Sequence, residues 1–176
     1  MSDHKAPEPA VTEATGHVTR LIHGRSRDLG GFGVRRVLPA REHRMIGPFI
    51  FLDEMGPAEL APGEGLNVRP HPHIGLATIT YLLEGEILHR DSLGFSQPIR
   101  PGAVNLMSAG RGIVHSERPG SDLHQHSRLH GLQTWIALPT EAETGAPSFA
   151  HYPADTIPMT RRDGAQMSVI IGEACG

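Results

Sequence analysis

The run Arg69-Pro70-His71-Pro72-His73-Ile74-Gly75-Leu76-Ala77-Thr78-Ile79-Thr80-Tyr81-Leu82-Leu83-Glu84-Gly85 places two histidines two residues apart, ahead of a β-branched and apolar stretch that breaks at a turn. That composition predicts strands on both sides of Ile74-Gly75. Side chains alternate along a strand, so His71 and His73 share one face. About forty residues on, Gly110-Arg111-Gly112-Ile113-Val114 leads into His115-Ser116-Glu117, a second pair at the same spacing behind a Gly-rich turn. If the two strands lie side by side in a barrel, three imidazoles and one carboxylate converge on one interior point. Such a set suits a divalent transition metal and leaves coordination positions open for chemistry.

The strand setting matters more than the spacing. With 12 histidines in 176 residues, random placement produces roughly one His-x-His pair. A second pair, His124-Gln125-His126, is indeed present, but it lies in the polar run Gly120–Ser127 and reads as a loop.

Outward from these pairs the chain keeps a β-rich character. Hydrophobic residues make up 38% and aromatics 5%, so the core must be aliphatic; 21 glycines and 15 prolines favour many turns over long helices. Strands are expected at His17–His23, Gly33–Leu38, Pro48–Leu52, Val68–His73, Ala77–Leu83, Glu86–Arg90, Ala103–Met107, Gly112–Ser116 and Leu132–Leu138. Breaks fall at Gly30-Gly31, Gly56-Pro57, Pro62-Gly63, Glu84-Gly85, Ser92-Leu93-Gly94 and Pro101-Gly102. Ala58-Glu59-Leu60 and Glu141–Gly145 read as single helical turns. The expected fold is all-β, a sandwich or barrel with few short helical turns. Residues 1–16 read as a disordered tail, 17–165 as one barrel, and 166–176 as a new strand in need of partners.

The formal charge of −3 gives no electrostatic case for direct nucleic-acid or membrane binding. Arg35-Arg36 and Arg41/Arg44 cluster, but read as solvated. One cysteine, Cys175, excludes an internal disulfide and fits a reducing compartment. Neither a spanning apolar stretch nor a signal peptide is evident, so a soluble cytoplasmic protein is expected. Arg111, between two glycines beside His115, and His130, next to the Gly131–Leu138 strand, are candidates for supporting the ligands or lining a pocket. His23, His43, His89 and His151 have no partner at ligand spacing and read as exposed or hydrogen-bonded. Leu106, Met107, Leu132, Trp135 and Ile136 read as core.

With these pieces placed, the chain resembles the pirins, a branch of the cupin superfamily. The resemblance runs through Gly47-Pro48-Phe49-Ile50-Phe51-Leu52-Asp53-Glu54-Met55, Pro70–Leu76, Tyr81–Gly85, Ala109–Glu117, His130–Trp135 and Ile171-Gly172-Glu173-Ala174. It implies a cupin-type double-stranded β-barrel (jelly roll), with two barrels per chain and the metal in the first. Residues 166–176 would then be the first strand of a second barrel, and the chain would stop where that barrel begins. The unpaired edge left there would offer a surface for oligomerisation. The implied metal ligands are His71, His73, His115 and Glu117, and the implied metal is iron, Fe(II) first, with Mn, Ni, Cu or Zn also suited to the donors. General cupins carry a ligating glutamate four residues after the second histidine, where this chain has Ala77; Glu117 supplies the carboxylate instead. The implied activity is cleavage of flavonols such as quercetin with dioxygen. Glu117 or a nearby carboxylate would act as the catalytic base toward the flavonol 3-hydroxyl, and dioxygen would attack the activated ring. The alternative role implied by the family is a non-catalytic, metal-dependent regulator that docks a transcription factor or metabolic enzyme. The expected partner is thus a small aromatic substrate or a protein.

Overall fold

The computed structural model describes residues 10–13, 16, 18, 20–29 and 32–173. Cys175, His17 and the Gly30-Gly31 break lie outside them. The described residues form strands in the order β1 (Ala10–Glu13), β2 (Arg20–His23), β3 (Arg25–Asp28), β4 (Gly33–Leu38), β5 (Phe49–Leu60), β6 (Val68–His73), β7 (Leu76–Glu84), β8 (Ile87–Asp91), β9 (Ser96–Ile99), β10 (Val104–Ser108), β11 (Ile113–Pro119), β12 (Ser127–Ala137), β13 (Ser148–Tyr152), β14 (Met159–Arg162) and β15 (Ala165–Ser168). One 3-10 turn, Ala154–Thr156, is the only helical element among them.

Two antiparallel sheets enclose the core. Seven strands run in the order β13-β10-β7-β12-β5-β4-β3, and four in the order β6-β11-β8-β9. The core cluster takes Val34, Met55, Leu82 and Leu129 from the large sheet and Ile87 and Ile99 from the small one, together with Phe32, Leu66 and Ala103. This is the all-β jelly-roll barrel that the resemblance implies, one of the two architectures the strand pattern left open. β1 with β2 and β14 with β15 form two further two-stranded sheets.

The differences from the expected elements have local causes. Gly56-Pro57 does not break β5, which runs through to Leu60 and absorbs the helical turn expected at Ala58–Leu60. Gly56 instead sits at φ 73°, where an added Cβ would lie 2.1 Å from the Leu129 carbonyl, so glycine serves close strand approach there. β3, β9, β13 and β14 were not among the expected strands. They are short, five residues at most, and only Ile99 among them is buried, so burial leaves little imprint on their sequence. The tail expected to be disordered contains β1, which pairs with β2 from Ala10↔His23 to Glu13↔Arg20; backbone pairing needs no apolar side chains. At the other end, Ala165–Ser168 finds its partner in Met159–Arg162, and residues 169–171 continue along apolar hollows on the outer face of the large sheet. The expected strand beyond Glu173 lies outside the described residues. No helix among the described residues is long and apolar enough to cross a membrane.

Four of the five apolar residues read as core divide by strand alternation. Met107 is buried and Trp135 points inward, whereas Leu106 and Leu132 line the outer hollows. Neighbouring residues of one strand cannot share a face.

Candidate metal centre

β6 is an edge strand of the small sheet, which is where Pro70 and Pro72, lacking an N–H, can be tolerated. It pairs with β11 so that His115 faces His71 and Ile113 faces His73. The ladder then slips, with Glu117 opposite Val68, because β6 carries one extra residue around Pro70. Ile74-Gly75 closes β6 into β7, and the Gly75 N–H donates to the Gly110 carbonyl at 2.8 Å. The two ligand-bearing strands are thereby tied at one end.

The result is a cluster of three imidazoles. His71, His73 and His115 each bring a ring nitrogen within 4.8 Å of the others. Their ring centroids are 4.4 Å (His71–His115), 4.9 Å (His71–His73) and 4.9 Å (His73–His115) apart. Glu117 is not part of that group. Its Oε1 accepts from Gln133 Nε2 at 2.9 Å, while Oε2 is buried without a hydrogen-bond partner. The face shared by residues two apart brings Glu117 into the interior, but the carboxyl leans toward β12.

Hydrogen bonds assign the tautomers. His71 Nδ1–H donates to the Arg69 carbonyl at 2.9 Å, which leaves the Nε2 lone pair free. His89 Nε2–H donates to Asp91 Oδ2 at 2.9 Å, so the Nδ1 of a neutral His89 is an acceptor. It stands 3.5 Å from His115 Nδ1, which must then carry its proton and leave Nε2 bare. That Nε2 is buried with no partner. Asp91 is in turn anchored through Oδ1 by the backbone N–H groups of Leu93 (2.9 Å) and Phe95 (3.1 Å). Asp91, His89 and His115 thus form a chain that aims one lone pair at the cluster. A buried, unpartnered His115 Nε2 within reach of the ring nitrogens of His71 and His73 is what a metal-binding set leaves behind, and so these residues fit a divalent ion.

His89 was read from sequence only as exposed or hydrogen-bonded. It is hydrogen-bonded, yet its part beneath His115 was missed. The available signal was His89-Arg90-Asp91 itself, a pair two apart on a strand like the ligand pairs. His43 and His151 are also hydrogen-bonded, to Arg20 and Asn105. His124 and His126 are exposed in a turn. His130 is not brought to the cluster: its Nε2 bonds Glu54 Oε1 at 3.2 Å on the sheet face opposite Gln133, in a group completed by Arg35. Burial works to raise the Glu54 carboxyl, but the hydrogen bonds from Arg35 and His130 outweigh it and hold the pKa low. Arg111 is exposed in the turn before β11; its backbone N–H is bonded to the Gly145 carbonyl.

Burial also fixes the charge state. Desolvation, with help from the adjacent His71, pushes the His73 pKa down to about 4. His115, more deeply buried and facing His71, His73 and His89, is pushed down to about 2. Both rings are neutral at pH 7, the form a metal needs. In the unfolded chain the same rings protonate near the ordinary histidine value of about 6.5. Between these limits the unfolded state binds more protons, so stability is full above 6.5 and declines as pH falls through about 4. Urea midpoints of the metal-free protein are expected to drop between pH 7 and 5. A midpoint that is flat or rises on acidification would contradict this arrangement.

A family model described as Pirin matches residues 31–136. The chain belongs to the pirin family. A pirin-like protein of Caulobacter vibrioides is 54% identical over 161 residues, which is 89% of this chain and 55% of the relative. A solved quercetin 2,3-dioxygenase from Acinetobacter baumannii superimposes with a TM-score of 0.81 at 45% identity, covering 86% of this chain and 49% of that one. A bacterial pirin from Escherichia coli, solved in complex with nickel(II), gives a TM-score of 0.61 at 26% identity over 73% of this chain and 53% of that one. This pirin chain therefore spans about half the length of these relatives. The three-histidine cluster is a group that can hold a metal, in a fold whose relatives include one with bound nickel.

Proposed function

We propose that this pirin barrel is an iron-dependent dioxygenase acting on flavonols of the quercetin type. The observation that carries the reading is the convergence of His71, His73 and His115 with two buried donor atoms, His115 Nε2 and Glu117 Oε2, left without partners. The likeness to the Acinetobacter baumannii quercetin 2,3-dioxygenase supports the substrate class. His71, His73 and His115 would hold the ion, with Glu117 Oε2 as a fourth donor. A bound divalent iron would supply the one-electron chemistry that dioxygen requires. Glu117 would also serve as the catalytic base: its carboxylate, released from the ion, would accept the proton of the flavonol 3-hydroxyl. Trp135 lies edge-on to His73 at 5.0 Å and stacks on Phe51 at 4.0 Å, an aromatic wall that excludes water from one side of the cluster. A reducing cytoplasm would keep such an iron divalent.

The test starts from elemental analysis of freshly purified protein. Samples loaded separately with Fe(II), Mn(II), Ni(II) and Cu(II) are then incubated aerobically with quercetin. The flavonol absorption band is expected to bleach with matching oxygen uptake. No bleaching with any of the four metals would overturn the proposal.

A further inference from the structure

Glu117 is 6% exposed, and its carboxyl is held from the opposite sheet. Gln133 reaches across the interior from β12 and donates Nε2–H to Glu117 Oε1 at 2.9 Å. The same nitrogen stands 3.5 Å from Thr80 Oγ1 on β7. A carboxylate only accepts, so the amide must present its nitrogen and not its oxygen to Glu117. Gln133 also lies in a row of polar residues at matched register across five strands: Asn105↔Thr80, Thr80↔Gln133, Gln133↔Asp53 and Asp53↔Arg36. Arg36 grips Asp53 with two parallel bonds of 2.8 Å at one end, and His151 holds Asn105 at 2.7 Å at the other. Held within that row, the amide occupies Oε1 and leaves Oε2 as the only free carboxylate atom.

We propose that Gln133 is a positioning residue for the metal centre, restraining Glu117 to ligation through one oxygen and so keeping a coordination position open to an incoming ligand. The inference rests on the metal-binding reading above. Without the amide, Oε1 would be buried and unsatisfied, and ligation to the ion would compensate it. The carboxylate would then bind through both oxygens and fill the position that Gln133 keeps open.

The experiment uses Co(II) as the probe metal and azide as the incoming ligand, followed by visible absorption. Co(II)-loaded Gln133→Met is expected to show an altered visible spectrum and azide binding at least about tenfold weaker than wild type, the scale typical of losing a ligand's hydrogen-bond partner. Thr80→Val removes the amide's other neighbour with little change in volume. It should move both readouts the same way by a smaller factor, and it carries the test should Gln133→Met not fold. Spectra that superimpose on wild type, with azide affinity within twofold, overturn the proposal while leaving the metal site intact. A wild-type protein that takes up no Co(II) overturns the metal-binding reading and this proposal with it.

Discussion

His73→Ala is expected to cost the protein its metal and every trace of flavonol consumption. His73 is 7% exposed and lies between His71, His115 and Trp135, so no solvent-borne ligand can easily replace it. Site binding energies of about 10–16 kcal/mol, shared over four ligands, put each one on the order of 3 kcal/mol. That corresponds to a loss of affinity of roughly 100-fold. Asp91→Asn supplies the graded comparison. It leaves all three ligand rings in place but weakens the grip on His89, which orders the His115 tautomer. Its cost should be about tenfold, at the low end for a residue one step removed from a ligand. Calorimetric titration with Ni(II), alongside quercetin turnover, separates the cases. His73→Ala retaining Ni(II) affinity within threefold of wild type would remove His73 from the ligand set.

The contrast between His73 and Asp91 also marks what was legible in the sequence. The ligand pairs could be found because residues two apart on a strand share a face, and the apolar run Leu76–Leu83 made the strand evident. An all-β sandwich or barrel followed from many short strands punctuated by glycine and proline, and the family resemblance narrowed it to a jelly roll. The slip between His115 and Glu117 was not legible, because an extra residue on one strand shows only when its partner is in place. The hydrogen bond from Gln133 holds the Glu117 carboxyl toward β12, beside the three histidines and not among them. His89 was missed for a related reason. Its contact to His115 depends on β8 pairing with β11, with His115 opposite Asp91 and Glu117 opposite His89. His130 lies three residues from Gln133 and five from Trp135 on β12, so plain alternation already puts it on the outer face. For the slip and for His89, tertiary pairing decided, and no local pattern records it.

Gly110→Ala is expected to be strongly destabilising, because it acts on the turn that ties the two ligand strands. Gly110 sits at φ 48°, and a Cβ there would lie 2.3 Å from the Gly145 carbonyl oxygen and 2.9 Å from its carbon. Both are backbone atoms, so no side chain can swing aside. Gly110 is also the residue whose carbonyl receives the Gly75 N–H, while the next N–H, of Arg111, bonds the same Gly145 carbonyl. Displacing it therefore shifts the ends of β6 and β11 together, and with them His73 and His115. The left-handed backbone costs an alanine about 1–2 kcal/mol, and a forced backbone shift adds about 1–3 kcal/mol. A loss of roughly 2–5 kcal/mol is a large fraction of a domain's stability. Gly75→Ala is the control, because it separates strain from crowding. Its φ is also left-handed, at 68°, but an added Cβ meets only Glu143 Cγ at 3.7 Å, an ordinary contact. It should pay the backbone term alone, about 1–2 kcal/mol. Urea unfolding of the metal-free proteins reads both values. Equal midpoints for the two variants would show that the Gly110–Gly145 contact does not hold the ligand strands in register.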